Sequence, residues 1–516
     1  MSGRRALVVG LALAAALLAV HALALGYESD DAYISYRYAR NLLDGHGLVY
    51  NPGERVEGYT NFLWTVLLAG IDGILPGERL PEIATALGIL FGGATVVLVG
   101  LFGRSIAGTD SPRVLIAPFL LAADSSFAAW CTGGLEGPLF AFLVAAAAFA
   151  HFRARGEAPF LFALAALTRP EGALLFAVTA GIELVRRRGR IGKVILWSLP
   201  FAAVFVPYFL WRWSYYGYPL PNTFYAKVGG GSEAWIRGAK YLAGFLRTHG
   251  WFLALAAVIP VLRRRSEPWV AHVAAMLGAY ALYLVAVGGD GLYGHRFCTY
   301  LAPLFYLLAQ EGLAQALARA PKVLLPAVAV LGVALVAQTS VVLLWMPRNA
   351  RWTEPKSELS FPDASHGYRF FDPYFVERQR IAAEWLEASL PKGAMIASTP
   401  AGSIAYHSSH PVIDMLGLND VHIARTDAGS MGRGRAGHEK GDGVYVLSRQ
   451  PEVILLGNVA VLARPLAEEE MPAKLVQRSE KEIWASPEFH RDYERVAVEV
   501  GDAGLFRWFT FWRRKR

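Results

Sequence analysis

The chain has 516 residues, of which 54% are hydrophobic, and its mean hydropathy is +0.33. This composition is too apolar for a soluble protein of this length, and several apolar runs approach the roughly 20 residues that a spanning helix needs. The formal net charge of +8 is gathered in short Lys/Arg clusters between those runs. That distribution is typical of cytoplasmic loops and not of a nucleic-acid-binding face. The sequence therefore predicts a polytopic helical membrane protein with no nucleic-acid partner.

The first apolar run covers residues 6–26 and follows Arg4 and Arg5. Residues 22–24 have the small-residue pattern of a signal-peptide cleavage site, so a removed leader is one interpretation. The run is longer than a typical signal core, and many further apolar runs follow it. These features favour a retained first helix with its N-terminus in the cytoplasm.

Residues 27–80 are predicted to face outward as a first outer loop that carries a dense polar cluster. Asp30 and Asp31 stand together where the first apolar run ends, and a short surface helix is predicted over residues 31–43. Two adjacent carboxylates at a membrane face can form a catalytic site, or they can simply cap that helix. The loop offers three further candidates for substrate binding, Arg37, Glu57 and Asn61.

The later apolar runs predict ten more crossings, which makes eleven in all, with the N-terminus inside and the C-terminus outside. They are 83–103, 114–130, a span ending near 149, two short helices within 158–185, then 195–213, 251–262, 270–287, 297–316 and 323–345.

The two short helices are predicted from the charges around them. Arg153 and the basic cluster at 186–190 must both lie inside, yet the interval is too long for one helix. Residues 168–172, Thr-Arg-Pro-Glu-Gly, predict a turn between two half-length helices. Irregular backbone at membrane depth is tolerated only where it lines a cavity, so Arg169 and Glu171 are placed near a pocket.

The chain changes character at about residue 348. The predicted organisation is a membrane domain over 1–347 followed by a soluble, extracytoplasmic α/β domain over 348–516. The patterns in the second domain predict buried strands at 394–398, 411–415 and 453–456, a helix at 377–390, and a terminal hairpin formed by 493–500 and 505–512.

Short motifs exclude several functions. Residues 432–437, Gly-Arg-Gly-Arg-Ala-Gly, match the dinucleotide fingerprint, but they neither follow a predicted strand nor open a helix, which indicates a chance match in a basic loop. The sequence contains no P-loop, HExxH, GxSxG or EF-hand motif, which argues against ATP-driven transport and against zinc or serine hydrolysis. Cys131 and Cys298 are predicted to be unpaired, with a single disulfide as the alternative. No cofactor is indicated, and dependence on a divalent metal stays open.

The polar residues suit sugar transfer from a lipid phosphate. This reaction needs a carboxylate to take the proton of the acceptor hydroxyl or to support an oxocarbenium-like centre. It also needs a cation for the departing phosphate and an apolar groove for the lipid. Asp30 and Asp31 can supply the carboxylate, with Asp30 preferred. The candidates for the phosphate and the rest of the substrate are Glu136, Arg169, Glu171, Asn222, Lys227, Asp290, His295 and Arg296.

Structural alternatives exist for most of these candidates. They are an ion pair of Arg169 with Glu171 or Glu136, interfacial anchoring by His295 and Arg296, a turn at Asp290, and a solvated loop around Asn222 and Lys227.

Several stretches of the chain resemble a known family. They are the whole segment 30–64, WCTGGLEGPLF at 130–140, LTRPEG at 167–172, PLPNTFYAK at 219–227, GGDGLYGHRF at 288–297, PVIDMLGLND at 411–420, and residues 437–457. These stretches resemble bacterial GT-C membrane glycosyltransferases, and most of all the terminal β-(1→2) arabinofuranosyltransferases of actinobacterial cell-wall arabinan. The resemblance implies a polyprenyl-phosphate-linked sugar donor, a multi-pass membrane domain and an extracytoplasmic soluble domain. It also implies an essential aspartate in the first outer loop, which falls on Asp30 or Asp31.

The expected function is therefore transfer of a sugar, arabinofuranose in the family it most resembles, from a polyprenyl phosphate to an extracytoplasmic glycan acceptor. The expected location is the bacterial cytoplasmic membrane, whose lipids would surround the protein. This type of membrane domain occurs in enzymes that transfer different sugars. The resemblance therefore supports glycosyl transfer in general more directly than it supports arabinofuranose in particular. The alternative is a non-catalytic envelope or flagellar-motor-associated membrane protein with the same fold.

Overall fold

The computed structural model describes residues 3–75, 79–264, 266–292, 294–318, 321–345, 375–429, 431–501 and 506–516. The part up to residue 345 is helical. Its helices are α1 Gly3–Leu25, α2 Asp30–Leu43, α3 Phe62–Ile74, α4 Leu80–Ala107, α5 Ile116–Ala123, α6 Ser125–Thr132, α7 Gly137–Phe152, α8 Ala158–Thr168, α9 Glu171–Arg186, α10 Ile191–Tyr216, α11 Asn222–Lys227, α12 Gly231–His249, α13 Trp251–Arg263, α14 Pro268–Val287, α15 Arg296–Thr299, α16 Ala302–Ala316 and α17 Pro321–Trp345.

Long apolar helices confirm that this is a multi-pass membrane protein. Among the described residues, α1, α4, α10 and α14 are long and apolar enough to cross a membrane. The number reaches six if two bent pairs, Pro112–Ala123 with α6 and α12 with α13, each form one span. Eleven crossings would require shorter apolar helices to cross as well. The count of eleven and the orientation therefore stay predictions.

The crossing predicted over 114–130 is not one straight helix, because the chain bends by 59° between α5 and α6. Asp124 lies at the bend with an extended backbone, and its carboxylate accepts hydrogen bonds from the N–H groups of Ser126 and Phe127. This cap satisfies the first N–H groups of α6 and fixes the place where it begins. The carboxylate also binds Tyr306 at 2.9 Å and His249 at 3.2 Å, so a buried network supports the break.

One other predicted span begins at a sharp bend, and another is interrupted. The segment predicted over 251–262 follows α12 at an angle of 100°, and the bend falls at Gly250, whose φ of 88° favours glycine. The span predicted over 297–316 consists of the short helix α15 and the separate helix α16.

The turn predicted between two half-length helices is confirmed. Helix α8 ends at Thr168, and Arg169 has the extended conformation that is usual before proline. Helix α9 begins at Glu171, and a Cβ on Gly172 would lie 2.4 Å from the Ala166 nitrogen. Glycine at this position therefore allows α8 and α9 to pack closely beside the turn.

From residue 375 the chain forms a mixed sheet with short helices. The strands are β1 Ile396–Ser398, β2 Val412–Asp414, β3 Val453–Ile454, β4 Ala460–Leu462, β5 Tyr493–Glu499 and β6 Trp508–Arg514. The helices are α18 Phe375–Ser389, α19 Ser403–His407, α20 Val421–Arg425, α21 Gly443–Ser448, α22 Arg478–Ala485 and α23 Pro487–Asp492. The strand order is β2-β1-β3-β6-β4, with β5 paired to β6. Strand β1 runs parallel to β2 and β3, and β6 runs antiparallel to its neighbours β3, β4 and β5.

The structure confirms the three predicted strands, the helix and the terminal hairpin of this C-terminal part, although residues 502–505 of the hairpin lie outside the described residues. The predicted domain boundary at 347–348 also lies outside them. The solubility and extracytoplasmic location of the C-terminal part stay predictions.

Helix α2 is not the surface helix that the sequence predicted. Ile34 and Tyr38 pack into a core shared with the C-terminal part. On the other side, Tyr33 and Tyr36 pack into the core of the membrane helices. The helix is buried because residues 401–420 cover its outer side, which its own periodicity could not reveal.

Candidate active site

The helix cavity, as we call it, has a volume of about 370 Å³ and lies among α2, α9, α11 and α14. It brings together predicted site residues that are far apart in the sequence, namely Asp31, Asn61, Glu136, Arg169, Glu171, Lys227, Asp290 and Arg296. Leu174, Leu220, Phe224 and Val287 add an apolar part to the lining. The cavity therefore combines charged groups with a surface on which a lipid can pack.

Arg169 is held between two carboxylates. It donates hydrogen bonds to Glu136 and to both carboxylate oxygens of Glu171, at 2.8 and 3.2 Å. Asn61 donates to Glu136 at 2.8 Å, and Tyr283 donates to Glu171 at 3.0 Å. The ion pair proposed as the structural alternative for Arg169 is thus present with both glutamates. The positive charge of Arg169 is therefore compensated before any substrate binds.

Arg296 is compensated in the same way. Its guanidinium group donates to both oxygens of Asp290, at 2.7 and 3.1 Å, and lies 5.2 Å from the centre of the Trp130 ring. The neighbouring His295 is 3% exposed and contacts the Tyr241 ring, and it does not line the cavity. Because both residues are buried, interfacial anchoring does not describe them.

Lys227 differs from the two arginines. It lies at the end of α11, is half-buried and lines the helix cavity. Across the described ranges it forms no ion pair or hydrogen bond. Lys227 therefore contributes a positive charge that has no direct partner.

The two aspartates of the first outer loop occupy different environments. Asp30 accepts hydrogen bonds from the backbone N–H groups of Gly402, at 3.1 Å, and Ser403, at 2.7 Å. Burial raises the pKa of Asp30 to about 7, against the opposing effect of these two bonds, and the nearby charge of Asp31 adds to the increase. Asp30 thus joins α2 to the start of α19.

Asp31 has no hydrogen-bond or ion-pair partner in the described part of the chain. As the second residue of α2 it is held on a rigid element, and it lines the helix cavity. The geometry therefore favours Asp31 for the chemistry and reverses the sequence-based preference for Asp30.

A second cavity, which we call the interface cavity, lies between the N-terminal end of α2 and the C-terminal part. Its volume is about 160 Å³. Asp31, Ile34 and Leu418 line both cavities. Asp31 therefore stands at the boundary between the two.

The loop at 432–437 takes part in this boundary. Ala436 and Gly437 line the helix cavity, whereas Arg435 and His438 line the interface cavity. The loop lies between α20 and α21, follows no strand and opens no helix, so its fingerprint match is coincidental. Arg435 Nε donates to the Gly291 carbonyl at 2.8 Å, which fixes the loop against the membrane helices.

Four predicted site residues lie outside both cavities and have structural contacts instead. Arg37 donates to the carbonyl oxygens of Tyr50, Ser408 and His410. Glu57 forms a buried ion pair with Arg212, and Asn222 donates to the Gly417 and Leu418 carbonyls at 2.9 and 3.0 Å. His295 is the fourth. Burial and local partners account for the polar groups of the first three, and the ring of His295 packs against Tyr241. That these four residues bind substrate stays a prediction.

Sequence reasoning missed Asp124, Arg212, Asn458 and Lys474. The first two had a signal, since each is a single charge within an otherwise apolar run. Asn458 and Lys474 had none, because only the fold brings them to the interface cavity.

Cys131 and Cys298 are both buried and unpaired, as predicted. The described residues contain no group of three or more His, Cys, Asp or Glu side chains placed to hold a metal ion.

The C-terminal part matches one family model. Residues 373–512 match a domain of unknown function, DUF8728. This match covers the sheet and its helices.

Two curated relatives match about half of the chain. A terminal β-(1→2)-arabinofuranosyltransferase from Mycobacterium tuberculosis is 31% identical over 334 residues, which are 55% of this chain and 52% of the relative. The enzyme of the same name from Corynebacterium glutamicum is 28% identical over 335 residues, with coverages of 54% and 47%. The chain thus spans about half the length of the curated relatives that it matches.

Solved structures extend the likeness to nearly the whole chain. The apo structure of ArnT from Cupriavidus metallidurans has a TM-score of 0.50 at 13% identity and covers 99% of this chain and 98% of ArnT. The structure of the same protein bound to undecaprenyl phosphate has a TM-score of 0.50 at 12% identity, with coverages of 98% and 97%. The chain therefore has the GT-C fold of ArnT and is similar in sequence to terminal β-(1→2)-arabinofuranosyltransferases.

Proposed function

We propose that this chain is an integral membrane glycosyltransferase that moves a sugar from a polyprenyl phosphate to a glycan acceptor. One observation carries the proposal. A carboxylate and an ammonium group without direct partners, those of Asp31 and Lys227, line one cavity that also has an apolar side. The names of the curated relatives and the lipid phosphate bound to ArnT support it.

Asp31 acts as the general base in the proposed reaction. Its carboxylate takes the proton of the acceptor hydroxyl as the oxygen forms a bond to the anomeric carbon of the sugar. The bond between that carbon and the phosphate oxygen breaks, and its electron pair leaves with the lipid phosphate. The phosphate is stable as an anion, so its departure needs little help from an acid.

Lys227 is the residue we propose for binding the donor phosphate. Arg169 and Arg296 already form ion pairs with three carboxylates of the cavity, namely Glu136, Glu171 and Asp290. An ammonium group without a partner can form a charge-assisted hydrogen bond with phosphate at no cost in broken ion pairs.

The residues around Lys227 suit a lipid chain. Leu220 and Phe224 are 39% and 41% exposed and stand near it on the α11 side of the cavity. They offer an apolar path by which an isoprenoid chain can leave the cavity toward the bilayer.

The proposed sugar is arabinofuranose, which is the sugar named for both curated relatives. The proposed location is the bacterial cytoplasmic membrane, with Asp31 and the C-terminal part on the extracytoplasmic side. Lipid-linked donors and cell-envelope glycans would meet there.

The test compares Asp31→Asn with Asp30→Asn in the purified full chain, supplied with a polyprenyl-phosphate-linked arabinofuranose and an arabinofuranosyl disaccharide. We expect transfer to be lost in Asp31→Asn and largely kept in Asp30→Asn, because the single oxygen of asparagine can still accept the backbone hydrogen bond of Ser403. Wild-type turnover in Asp31→Asn would refute the proposed role of Asp31.

A further inference from the structure

We infer that the interface cavity binds the terminal sugar of the acceptor glycan, and that Asn458 and Lys474 position this neutral sugar against Asp31. The inference rests on the proposed function of Asp31. It also gives a role to the C-terminal part, whose matching family model describes no function.

The position of Asp31 is the first argument. A base that takes the acceptor proton must contact the acceptor on one side while the donor carbon lies within reach of the same hydroxyl. Asp31 lines both cavities, and the helix cavity holds Lys227 for the phosphate. The acceptor hydroxyl can therefore approach from the interface cavity, opposite the donor.

The polar side chains in the wall of the interface cavity differ in whether they already have hydrogen-bond partners. Asp30 and Asp414 already accept backbone N–H groups, from Gly402 and Ser403 and from Leu416 and Asn419. Three other side chains of the lining, Asp31, Asn458 and Lys474, have no hydrogen-bond partner in the described segments. They come from distant parts of the chain and converge on one small space.

The charges of the lining indicate the class of ligand. Four carboxylates, those of Glu28, Asp30, Asp31 and Asp414, line the cavity together with the basic side chains of Arg378, Arg435 and Lys474. The negative charges of these carboxylates would repel a phosphate group. Sugar hydroxyls suit the wall better, because each can donate to a carboxylate and accept from an ammonium or amide group.

Backbone strain marks the same wall. Asn458 and Val459 are consecutive residues with φ of 59° and 61°, and both line the interface cavity. A left-handed conformation is unfavourable for a β-branched residue such as valine, and such strain is concentrated at binding sites. The Gly457 N–H donates to Glu480 at 3.0 Å, which helps to hold the strained turn in place.

The small volume of the interface cavity limits what it can bind. At about 160 Å³ it is smaller than the usual site for a drug-sized ligand. It therefore suits the last sugar ring of a glycan, with the remainder outside.

Two variants test the inference, Lys474→Ala and Asn458→Gly. Glycine tolerates the positive φ at position 458, so the second variant removes the amide without adding strain. We expect each to raise the KM for an arabinofuranosyl disaccharide about tenfold, the effect of losing one hydrogen bond to a polar or charged group. The KM for the lipid-linked donor should change much less.

The matched control is Lys481→Ala, which removes an exposed lysine of α22 outside the cavity and should leave both KM values unchanged. Binding of the disaccharide to the full chain, followed by saturation-transfer NMR, should weaken in the two test variants. An unchanged acceptor KM in both would overturn the inference, as would a lack of binding to the wild type. Tighter binding of a phosphorylated disaccharide would contradict the inference that the interface cavity binds a neutral sugar.

The same variants distinguish failure of the acceptor inference from failure of the proposed role of Asp31. If Asp31→Asn abolishes transfer while Lys474→Ala and Asn458→Gly keep the wild-type acceptor KM, only the acceptor inference fails. If Asp31→Asn keeps turnover, the role of Asp31 fails first.

Discussion

The two cavities that meet at Asp31 differ in how their carboxylates are stabilised. In the helix cavity, Glu136, Glu171 and Asp290 are paired with arginine side chains from neighbouring elements. In the interface cavity, Asp30 and Asp414 are held by backbone N–H groups of the C-terminal part. The first arrangement depends on opposite charges, and the second depends on where the C-terminal backbone lies. The following predictions test that difference, beginning with the group the two cavities share.

The largest effect is expected for Asp31→Asn. Loss of a general base typically lowers the rate by about 10²–10⁴. Because Asp31 has no partner to lose in the described structure, the variant should keep the wild-type unfolding temperature. Steady-state transfer rates and thermal unfolding in detergent give both values. A fall in stability that matches the fall in rate would assign Asp31 a structural role.

The next largest effect is expected for Arg169→Ala, and it is an effect on stability. Removing one member of a buried ion pair leaves uncompensated charge and costs about 3–5 kcal/mol. Here two carboxylates, Glu136 and Glu171, lose their partner together. Arg153→Ala is the control, because Arg153 is exposed. Equal unfolding temperatures in the two variants would contradict a structural role for Arg169.

Lys227→Ala should have a smaller effect, confined to the donor. We expect the donor KM to rise about tenfold, the size of one lost charge-assisted hydrogen bond, with little change in stability. Lys227→Arg keeps the charge and should recover most of the affinity. A donor KM that stays at the wild-type value in Lys227→Ala would show that Lys227 does not bind the donor phosphate.

The last effect concerns the pH dependence of stability and not the rate of transfer. The pKa of Asp30 is raised to about 7 in the folded protein, chiefly by burial, whereas an aspartate in an unfolded chain loses its proton near pH 3.9. The folded state therefore binds this proton more tightly. The stability that Asp30 contributes is fully present below about pH 4 and is lost as the pH rises through 7.

Asp30→Asn should remove this contribution and flatten the dependence of the unfolding temperature on pH between about 4 and 7. Burial also raises the pKa of Asp414 to about 6, so some of the slope should remain in the variant. Identical pH profiles for Asp30→Asn and wild type would show that Asp30 does not bind its proton more tightly in the folded protein.

Local signals predicted much of the helix cavity. The Arg-Pro step at 169–170 predicts a helix break on its own, because the residue before proline avoids helical backbone. Glu171 lies only two residues away, so its pairing with Arg169 was foreseeable. The adjacent aspartates at the end of an apolar run likewise drew attention to the segment from which Asp31 lines the cavity.

The interface cavity could not be predicted in the same way. The choice between Asp30 and Asp31 depends on Gly402 and Ser403, which lie more than 370 residues further along the chain. Asn458 and Lys474 stand in segments with no distinctive pattern, and only the sheet brings them to Asp31. The bend at Asp124 was missed because hydropathy averages over a single buried carboxylate.

The burial of α2 has a consequence for biosynthesis. Its outer side is completed by residues 401–420, through bonds such as those from Arg37 to the Ser408 carbonyl and from Tyr50 to the Ala401 carbonyl. Domains generally fold as they leave the ribosome, from the N-terminus onward. Here the packing of the first loop stays incomplete until more than 350 further residues have been translated. A nascent chain interrupted before residue 401 would therefore leave the side of α2 that carries Arg37 without its partners.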